Sequence, residues 1–347
     1  MPYKIINCEN LVHNTMFFMN LLPKNTLLCA VVKSNAYGND LKCIVPTINN
    51  LVQYYAVNSV NEALKLRKIT SLPILVLGKF NSKKLGQAIK KQIEFCVDSL
   101  EDIQILKKYN AEIKIHIAIN SGMNRLGLSR IQDCKTLLED IKKYKNLKIQ
   151  GVFSHIGDAI NTKRTTSQYR QFLILSSVFP ASAIHHISNT DALLYHPNMS
   201  MDMVRVGIGL YGYGNINLLP CMSVYAKIIA IHNVYKGEYL GYGSEHKLKQ
   251  DKKIAVVDIG YADGLPRTYS KSGKILINGN SCKIVANICM NMTIVDISNI
   301  DCKVGDTVTI LGYDGKLSIS AQDIASACNT IPYEILTNFS KLKNKKG

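Results

Sequence analysis

No stretch of this sequence is apolar for long enough to cross a membrane. Its uninterrupted apolar runs all fall short of the roughly 18 residues that a membrane-spanning helix requires. The N-terminal segment Met1-Pro2-Tyr3-Lys4-Ile5-Ile6-Asn7 also lacks the long apolar region of a secretory signal. We therefore expect a soluble cytoplasmic protein that has no membrane partner.

The cysteines lack the spacing of a metal site or a redox motif. There are ten of them, scattered along the chain, and none belongs to a Cys-x-x-Cys pair or to a zinc-like Cys/His pattern. This distribution predicts reduced thiols, as in cytosolic proteins, and no metal.

Acidic residues are few, and the excess of basic residues raises the question of a nucleic-acid partner. The chain has 25 Asp and Glu against 42 Lys and Arg, which gives a formal net charge of +17. The basic residues are spread throughout, and the one dense segment, 341–346, carries no aromatic residues on which bases could stack. We predict a solvated basic surface and no nucleic-acid site. Binding at physiological salt would discriminate, because a nonspecific basic surface should largely lose its affinity there.

What the sequence does contain is an alternation of strands and helices over its first two thirds. Eight short, β-rich apolar runs are separated by helix-like segments such as Val60–Lys68 and Arg130–Tyr144, in which apolar residues recur three or four apart. This alternation predicts an α/β fold, an N-terminal (β/α)8 TIM barrel. The eight runs are 27–33, 54–58, 74–78, 94–98, 113–120, 150–155, 184–189 and 204–208.

After residue 213 the pattern changes to short strands punctuated by glycine. This change predicts a C-terminal mostly-β domain, and we place the domains at 1–221 and 222–347. The expected strands are 227–234, 253–259, 274–277, 281–286, 292–297 and 306–311.

Lys33 is the strongest candidate for chemistry, because it follows an apolar strand and precedes a turn of small residues. Burial lowers the pKa of a lysine and leaves its amine free to form a Schiff base. In a barrel, the active site gathers at the C-terminal ends of the strands. Lys33, Asn120, His155, Asn189 and Arg205 should therefore share one mouth.

A lysine in a barrel mouth suggests pyridoxal 5'-phosphate, which needs a partner for its pyridine nitrogen and donors for its phosphate. The segment Met203–Gly212 follows the eighth strand, where such barrels commonly bind phosphate, and Gly207 and Ile208 could offer backbone N–H groups.

Several separated motifs, in order along nearly the full chain, resemble those of the alanine racemase family of fold-type III pyridoxal phosphate enzymes. They are Val31-Val32-Lys33-Ser34-Asn35-Ala36-Tyr37-Gly38, Ser121-Gly122-Met123-Asn124-Arg125-Leu126-Gly127, Phe153-Ser154-His155, Ser188-Asn189-Thr190, Met203-Val204-Arg205-Val206-Gly207-Ile208, Gly241-Tyr242-Gly243, Gly260-Tyr261-Ala262-Asp263-Gly264 and Ile288-Cys289-Met290.

The resemblance implies interconversion of L-alanine and D-alanine by a homodimer. Lys33 would hold the cofactor and act as one catalytic base, and Tyr242 from the partner subunit would act as the other. Two bases on opposite faces invert the α-carbon, whereas a single base would mostly restore the original configuration. By the same analogy, the D-alanine would supply peptidoglycan.

The resemblance also assigns the residues around the cofactor and substrate. Arg205 would face the pyridine nitrogen, held by His186, and His155 would lie along the ring. Arg125 and the partner's Met290 would meet the substrate carboxylate, and Tyr261 would narrow the entrance. The phosphate would be bound by Tyr37, Asn189, Thr190, Gly207, Ile208 and Tyr211.

The chain departs from the family pattern near Arg125 and at the entrance. Many members have a lysine, often carbamylated, at the position of Ala118, and an aspartate at that of Asn120. Asn287 stands where an entrance arginine is common, and the segment 340–343 lacks the usual terminal arginine motif. The brace on Arg125 would then come from another group, such as a bound anion.

Three alternatives stay open from sequence. A decarboxylase of the same barrel class generally presents a glutamate to the pyridine nitrogen, and Arg205 argues against it. A racemase for serine, lysine or many amino acids would share the catalytic pair and differ only in pocket lining. A non-catalytic cofactor-handling protein would be built on the barrel alone, without the β domain and Tyr242.

Overall fold

In a computed structural model, residues 1–80, 83–215, 217–243 and 246–345 are described. Their contacts divide them into two compact units. The barrel unit holds residues 11–36 and 41–219, and the β unit holds residues 1–10, 37–40 and 220 onward. The single boundary between residues 221 and 222 stays a prediction.

The barrel unit is built on eight parallel strands in the order β8-β7-β6-β5-β4-β3-β2-β9, which form a nearly closed barrel. Each predicted apolar run overlaps one of these strands, so the predicted barrel is confirmed. The strands are β2 Leu27–Val31, β3 Tyr54–Val57, β4 Ile74–Val76, β5 Glu94–Val97, β6 Ile113–Ala118, β7 Leu147–Phe153, β8 Ile184–His186 and β9 Met203–Val206.

Helices cover the outside of such a barrel, and their sequences show why they form. In α3, Ser59 accepts a hydrogen bond from the N–H of Glu62 while the Glu62 carboxylate returns to the Ser59 N–H, which is a complete capping box. The predicted helices at 60–68 and 130–144 are α3 and α6. The helices from residue 8 to residue 195 are α1 Cys8–Leu21, α2 Leu41–Ile48, α3 Val60–Leu66, α4 Leu85–Lys90, α5 Leu100–Leu106, α6 Ile131–Lys142, α7 Thr162–Ser176 and α8 Thr190–Tyr195.

The barrel strands are apolar on both faces, as expected for a parallel sheet that is covered on one side and filled on the other. β2 reads Leu-Leu-Cys-Ala-Val and β4 reads Ile-Leu-Val, and four of the five residues of β2 are buried. Glu94 in β5 and His116 in β6 are exceptions, because both are charged or titratable and nearly inaccessible.

The β unit is organised around one long strand, β10, which pairs with β1, β11 and β15 in antiparallel register. The mostly-β prediction is confirmed. Its strands are β1 Tyr3–Ile6, β10 Met222–Val234, β11 Lys252–Val257, β12 Lys274–Ile277, β13 Asn280–Lys283, β14 Thr293–Asp296, β15 Thr307–Asp314, β16 Leu317–Ile319 and β17 Lys343–Asn344.

Two helices in the β unit, α9 Ala321–Cys328 and α10 Pro332–Asn338, were not predicted. Each is only two turns long, which gives the apolar period little room to show itself. Their start signals are nevertheless present, a capping box from Ser320 to Asp323 and a proline at the first turn of α10.

Lys4 of β1 is a buried lysine that ties separate segments of the β unit together. Its Nζ donates hydrogen bonds to the carbonyl oxygens of Gly38 (2.6 Å), Phe339 (3.2 Å) and Ser340 (3.1 Å). Burial lowers the pKa of Lys4. Within the described part of the chain, no helix is both long and apolar enough to span a bilayer.

Candidate active site

The candidate residues of the barrel unit lie at the C-terminal ends of its strands. Lys33 follows the last residue of β2 by two positions, and His155 follows the end of β7 by the same distance. Arg205 lies within β9, one residue before its end. The charges of Arg205, Arg125 and Lys33 all act on His155, so the three cations lie near this histidine.

Lys33 is half-buried at this mouth, and its environment disfavours the ammonium form. Burial, followed by the positive charge of Arg125, lowers the pKa of Lys33, and the carboxylate of Glu62 opposes the shift. A larger fraction of the amine is therefore neutral, and nucleophilic, near neutral pH than for a free lysine.

The turn after Lys33 is left-handed. Ser34, Asn35, Ala36 and Tyr37 have φ angles of 53–56°, a conformation that costs L-residues roughly 1–2 kcal/mol each. Hydrogen bonds hold it in place: the Ala36 N–H donates to the Val32 carbonyl (2.9 Å), and the Leu41 N–H donates to Asn35 Oδ1 (3.0 Å). The turn gives Lys33 a fixed backbone.

Glu62 is a residue beside Lys33 that sequence reasoning missed. One carboxylate oxygen accepts a hydrogen bond from the Ser34 N–H (2.6 Å), and the other accepts one from the Asn58 N–H (2.9 Å). The same side chain thus caps α3 and holds the start of the left-handed turn. The capping box Ser59-x-x-Glu62 was visible in the sequence, but it indicated only a helix start.

Arg205 is buried in the barrel, and backbone carbonyls and one histidine fix its guanidinium. Nη2 donates to the carbonyl oxygens of Ser154 (2.5 Å) and Ile187 (3.2 Å), and Nη1 donates to Nδ1 and the carbonyl oxygen of His186. Nε has no hydrogen-bond partner among the described residues. Burial lowers the pKa of Arg205 to about 10, so it stays a cation at neutral pH.

His155 is a neutral imidazole beside these cations. Burial and the charges of Arg205, Arg125 and Lys33 lower the pKa of His155 to about 3. Its Nδ1 lies 3.5 Å from Arg205 Nη2, an atom that can only donate. Nδ1 is therefore the acceptor, and the proton of the ring is on Nε2.

The candidate phosphate-binding segments are packed tightly against each other in the barrel unit. Thr190 Oγ1 accepts hydrogen bonds from the N–H groups of Gly207 (3.2 Å) and Gly209 (3.4 Å). A Cβ on Gly209 would lie 2.4 Å from Phe18 Cζ, so only glycine fits there. Ile208 begins a 3₁₀ turn, Ile208–Tyr211, in which the buried Tyr211 donates its hydroxyl to the Val31 carbonyl (3.1 Å).

Asn189 caps α8, the helix that carries Thr190. Its Oδ1 accepts a hydrogen bond from the Ala192 N–H (3.0 Å), and its Nδ2 donates to the Ile156 carbonyl (3.3 Å). The start of α8 is thus held against the end of β7.

The loop that carries Arg125 is braced through its backbone. Asn120 Oδ1 accepts hydrogen bonds from the N–H groups of Gly122 (3.1 Å) and Asn124 (2.9 Å), and the Gly127 N–H donates to Asp98 Oδ2 (3.1 Å). The exposed Arg125 itself has no acidic side chain within salt-bridge distance in the described ranges.

Ala118, at the end of β6, belongs to an apolar cluster. Its neighbours there are the buried Cys96 and Phe153, with the partly buried Leu77 packed against them. The space is therefore apolar where the resemblance places a lysine in many family members.

The β unit carries the remaining candidates. Tyr242 is 71% exposed and lies between two glycines of positive φ, Gly241 (65°) and Gly243 (89°). Asn287 Nδ2 donates to the Tyr242 carbonyl (3.5 Å).

Tyr261 and Met290 are joined through their backbones in the same unit. The Tyr261 N–H donates to the Cys289 carbonyl (3.1 Å), and the Ala262 N–H donates to the Met290 carbonyl (2.9 Å). Both side chains are exposed. Tyr37 is instead buried against Tyr333, with ring centroids 5.8 Å apart.

Comparisons with known proteins agree on one family. The profile "Alanine racemase, N-terminal domain" matches residues 6–215, and "Alanine racemase, C-terminal domain" matches residues 221–346. The alanine racemase of Clostridium tetani is 33% identical over 358 aligned residues, which cover 97% of this chain and 92% of that protein.

Solved structures match over the same extent. Alanine racemase from Bacillus anthracis with bound L-Ala-P has a TM-score of 0.92 at 28% identity, covering 97% of this chain and 92% of that one. Alanine racemase from Bartonella henselae with covalently bound pyridoxal phosphate has a TM-score of 0.90 at 25% identity, covering 99% and 98%. With both domains matched, the chain belongs to the alanine racemase family of amino-acid isomerases.

Proposed function

We propose that this protein interconverts L-alanine and D-alanine with pyridoxal 5'-phosphate, using Lys33 and Tyr242 as two opposed bases. The observation that carries the proposal is the pairing of a lysine of lowered pKa with a buried arginine in one barrel mouth. The bound L-Ala-P in the B. anthracis structure and the covalently bound pyridoxal phosphate in the B. henselae structure support the substrate and cofactor classes.

The residues present fit this cofactor. Lys33 offers the amine for its attachment, and Arg205 Nε offers an N–H that no described protein group accepts. We assign the phosphate to Thr190 and Gly207, which are hydrogen-bonded to each other, together with Tyr37, Asn189, Ile208 and Tyr211. Hydroxyls and backbone amides of these residues suit a phosphate dianion without a lysine clamp. Gly207 and Tyr211, which donate to Thr190 and Val31 in this structure, would line the site.

When bound, pyridoxal phosphate supplies the electron sink that makes the α-proton of alanine acidic. Lys33 Nζ takes or returns that proton on one face, and the hydroxyl of Tyr242 does so on the other. Arg205 stays protonated, so it donates a hydrogen bond to the ring nitrogen and does not deliver a proton to it. The electron sink is then weaker, which suits an enzyme that only moves a proton.

The other site residues bind and select the substrate in this proposal. Arg125 and Met290 meet its carboxylate, and Tyr261 narrows the entrance in favour of a methyl side chain. His155 lies along the ring as a neutral imidazole, which adds no further positive charge. A decarboxylase is disfavoured because Arg205, and not a glutamate, is the residue that we assign to the pyridine nitrogen.

The exposed residues of the β unit support a homodimer, in which that unit completes the partner's site. Tyr242, Tyr261 and Met290 are 71%, 44% and 56% exposed, although all three are large and partly apolar. We expect sedimentation analysis to give a dimer, and we expect activity per chain to fall on dilution below its dissociation constant. A monomer of full activity would contradict the shared site.

Proton NMR with a chiral readout in heavy water tests the function directly. Purified protein with pyridoxal phosphate and L-alanine should yield D-alanine that carries α-deuterium, because each inversion removes one proton and returns a solvent deuteron. If L-alanine stayed unchanged while the cofactor spectrum was normal, alanine would be excluded as the substrate. Racemisation of serine and of lysine, and decarboxylation, would then be assayed with the same preparation.

The cellular context follows by analogy with the family. We propose a cytoplasmic enzyme whose D-alanine enters peptidoglycan, with a domain boundary between residues 221 and 222.

A further inference from the structure

Glu94 is a carboxylate inside the barrel wall to which the site described above gives no role. It is the first residue of β5 and is 2% exposed, while the rest of that strand is apolar. Burial of a carboxylate is costly unless hydrogen bonds compensate it. The hydrogen-bond partners of Glu94 should therefore indicate its role.

Those partners form a chain of buried side chains that ends at Arg205. Glu94 Oε2 accepts hydrogen bonds from Tyr54 Oη (3.0 Å) and from His116 Nε2 (2.9 Å). His116 Nδ1 lies 3.0 Å from His186 Nε2, and His186 Nδ1 contacts Arg205 Nη1. We call Glu94, His116, His186 and Arg205 the buried relay. All four belong to the barrel unit, and none is more than 3% exposed.

The chemistry of the groups fixes the direction of every hydrogen bond in the relay. Arg205 can only donate, so His186 Nδ1 must accept, and a neutral His186 then has its proton on Nε2. His186 Nε2–H donates to His116 Nδ1, which leaves the His116 proton on Nε2, pointing at Glu94. Neither ring can be an imidazolium in this arrangement. Burial and the charge of Arg205 also hold the pKa of His186 well below its usual range.

The relay therefore has the Arg205 cation at one end, the Glu94 carboxyl group at the other, and two neutral imidazoles between them. The Phe153 ring stacks on His186 at 5.2 Å between centroids and 10° between planes, and Arg205 Cζ lies 5.5 Å from the same ring. These contacts leave the imidazole little freedom to turn over.

We propose that Glu94 is an ionised carboxylate and a positioning residue for the reaction. It acts through His116, which holds His186 in the tautomer that fixes the guanidinium. Arg205 is thereby held in the orientation in which the proposed function places it at the pyridine nitrogen. This inference rests on the function proposed above, because it gives Arg205 that role.

The first test is imidazole ¹⁵N NMR on the cofactor-free protein labelled at histidine, and it does not depend on activity. His116 and His186 should both be neutral rings protonated at Nε2 at pH 7. A ring protonated at Nδ1, or an imidazolium at either position, would overturn the relay.

The second test is the kinetics of Glu94→Gln in the holoenzyme. Glutamine keeps the size and the acceptor oxygen but removes the charge, and we expect kcat to fall about tenfold or more at an unchanged KM for alanine. The matched control is Glu112→Gln, an exposed glutamate just before β6, which should keep both constants. A folded Glu94→Gln variant with full kcat would show that the charge has no such role.

The two tests separate this inference from the proposed function. A wild-type protein that binds pyridoxal phosphate without racemising alanine would overturn the function and, with it, the positioning role of Glu94. The wrong tautomer in the wild-type protein would overturn the relay whatever the activity.

Discussion

Replacement of Lys33 by alanine should abolish the visible absorbance of covalently bound cofactor and reduce racemisation by about 10³-fold or more. The amine is the group that attaches the cofactor, and it is also one of the two bases. Its lowered pKa, which comes from burial and from Arg125, is the property that prepares it for both roles. The measurements are the absorption spectrum after dialysis that removes unbound cofactor and the rate of D-alanine formation.

Two variants control for effects of charge and of surface. Lys33→Arg keeps a positive charge at the mouth, but a guanidinium does not deprotonate at working pH, so the absorbance should be lost as in the alanine variant. Lys24→Ala removes an exposed lysine from the loop before β2 and should leave spectrum and rate unchanged. An unchanged spectrum in Lys33→Ala would exclude Lys33 as the anchor.

The barrel could be predicted from sequence because its strands are nearly continuous apolar runs separated by amphipathic helices. Runs of this length, bounded by turns, are typical of strands that are buried on both faces of a parallel sheet. Their ends were less accurate, since the run 27–33 stops as a strand at Val31. The left-handed turn that follows involves Ser34, Asn35 and Ala36, and nothing in their side chains requires a positive φ. The surrounding hydrogen bonds impose it.

The β unit was harder to anticipate, because its pairing is non-local. β1 lies at the N-terminus and pairs with β10, more than 200 residues later, in the register Tyr3↔Tyr225. Short apolar segments predict that a strand exists but do not name its partner. The grouping of residues 37–40 with this unit depends on tertiary contacts such as those of Lys4, which a linear pattern does not contain.

The site residues could also be predicted only in part. Lys33 and Arg205 could be selected because each follows or ends an apolar strand within a recognisable motif. Glu94 and His116 could not, because a lone charged residue in a buried strand has no partner until the strands are side by side in space. Their positions in β5 and β6, which are adjacent in the barrel, are what bring them together.

The brace on Arg125 also depended on the structure. From sequence, Ala118 and Asn120 left the arginine without an evident support. In the barrel unit, Asn120 turns its amide oxygen to the loop backbone, and Asp98 reaches the Gly127 N–H from the neighbouring strand end. Fixing a loop by its backbone leaves the arginine side chain free to meet a carboxylate.

Tyr242→Phe should greatly slow racemisation in both directions while preserving proton exchange in one enantiomer of alanine. The variant removes only the hydroxyl, so the cofactor should still bind through Lys33 with a normal spectrum. A single remaining base serves one face, and it returns a deuteron to the face from which it took the proton. We expect racemisation to fall by about 10²–10⁴-fold, the usual contribution of a general acid–base group.

Heavy-water NMR on each pure enantiomer measures this directly. One enantiomer should gain α-deuterium with its configuration retained, and the other should keep its α-proton. The matched control is Tyr239→Phe, because Tyr239 is 54% exposed, lies three residues earlier, and should tolerate the loss of its hydroxyl. If both enantiomers of Tyr242→Phe exchanged equally, a different group would serve the second face, and the exposed tyrosine of the β unit would be a structural residue only.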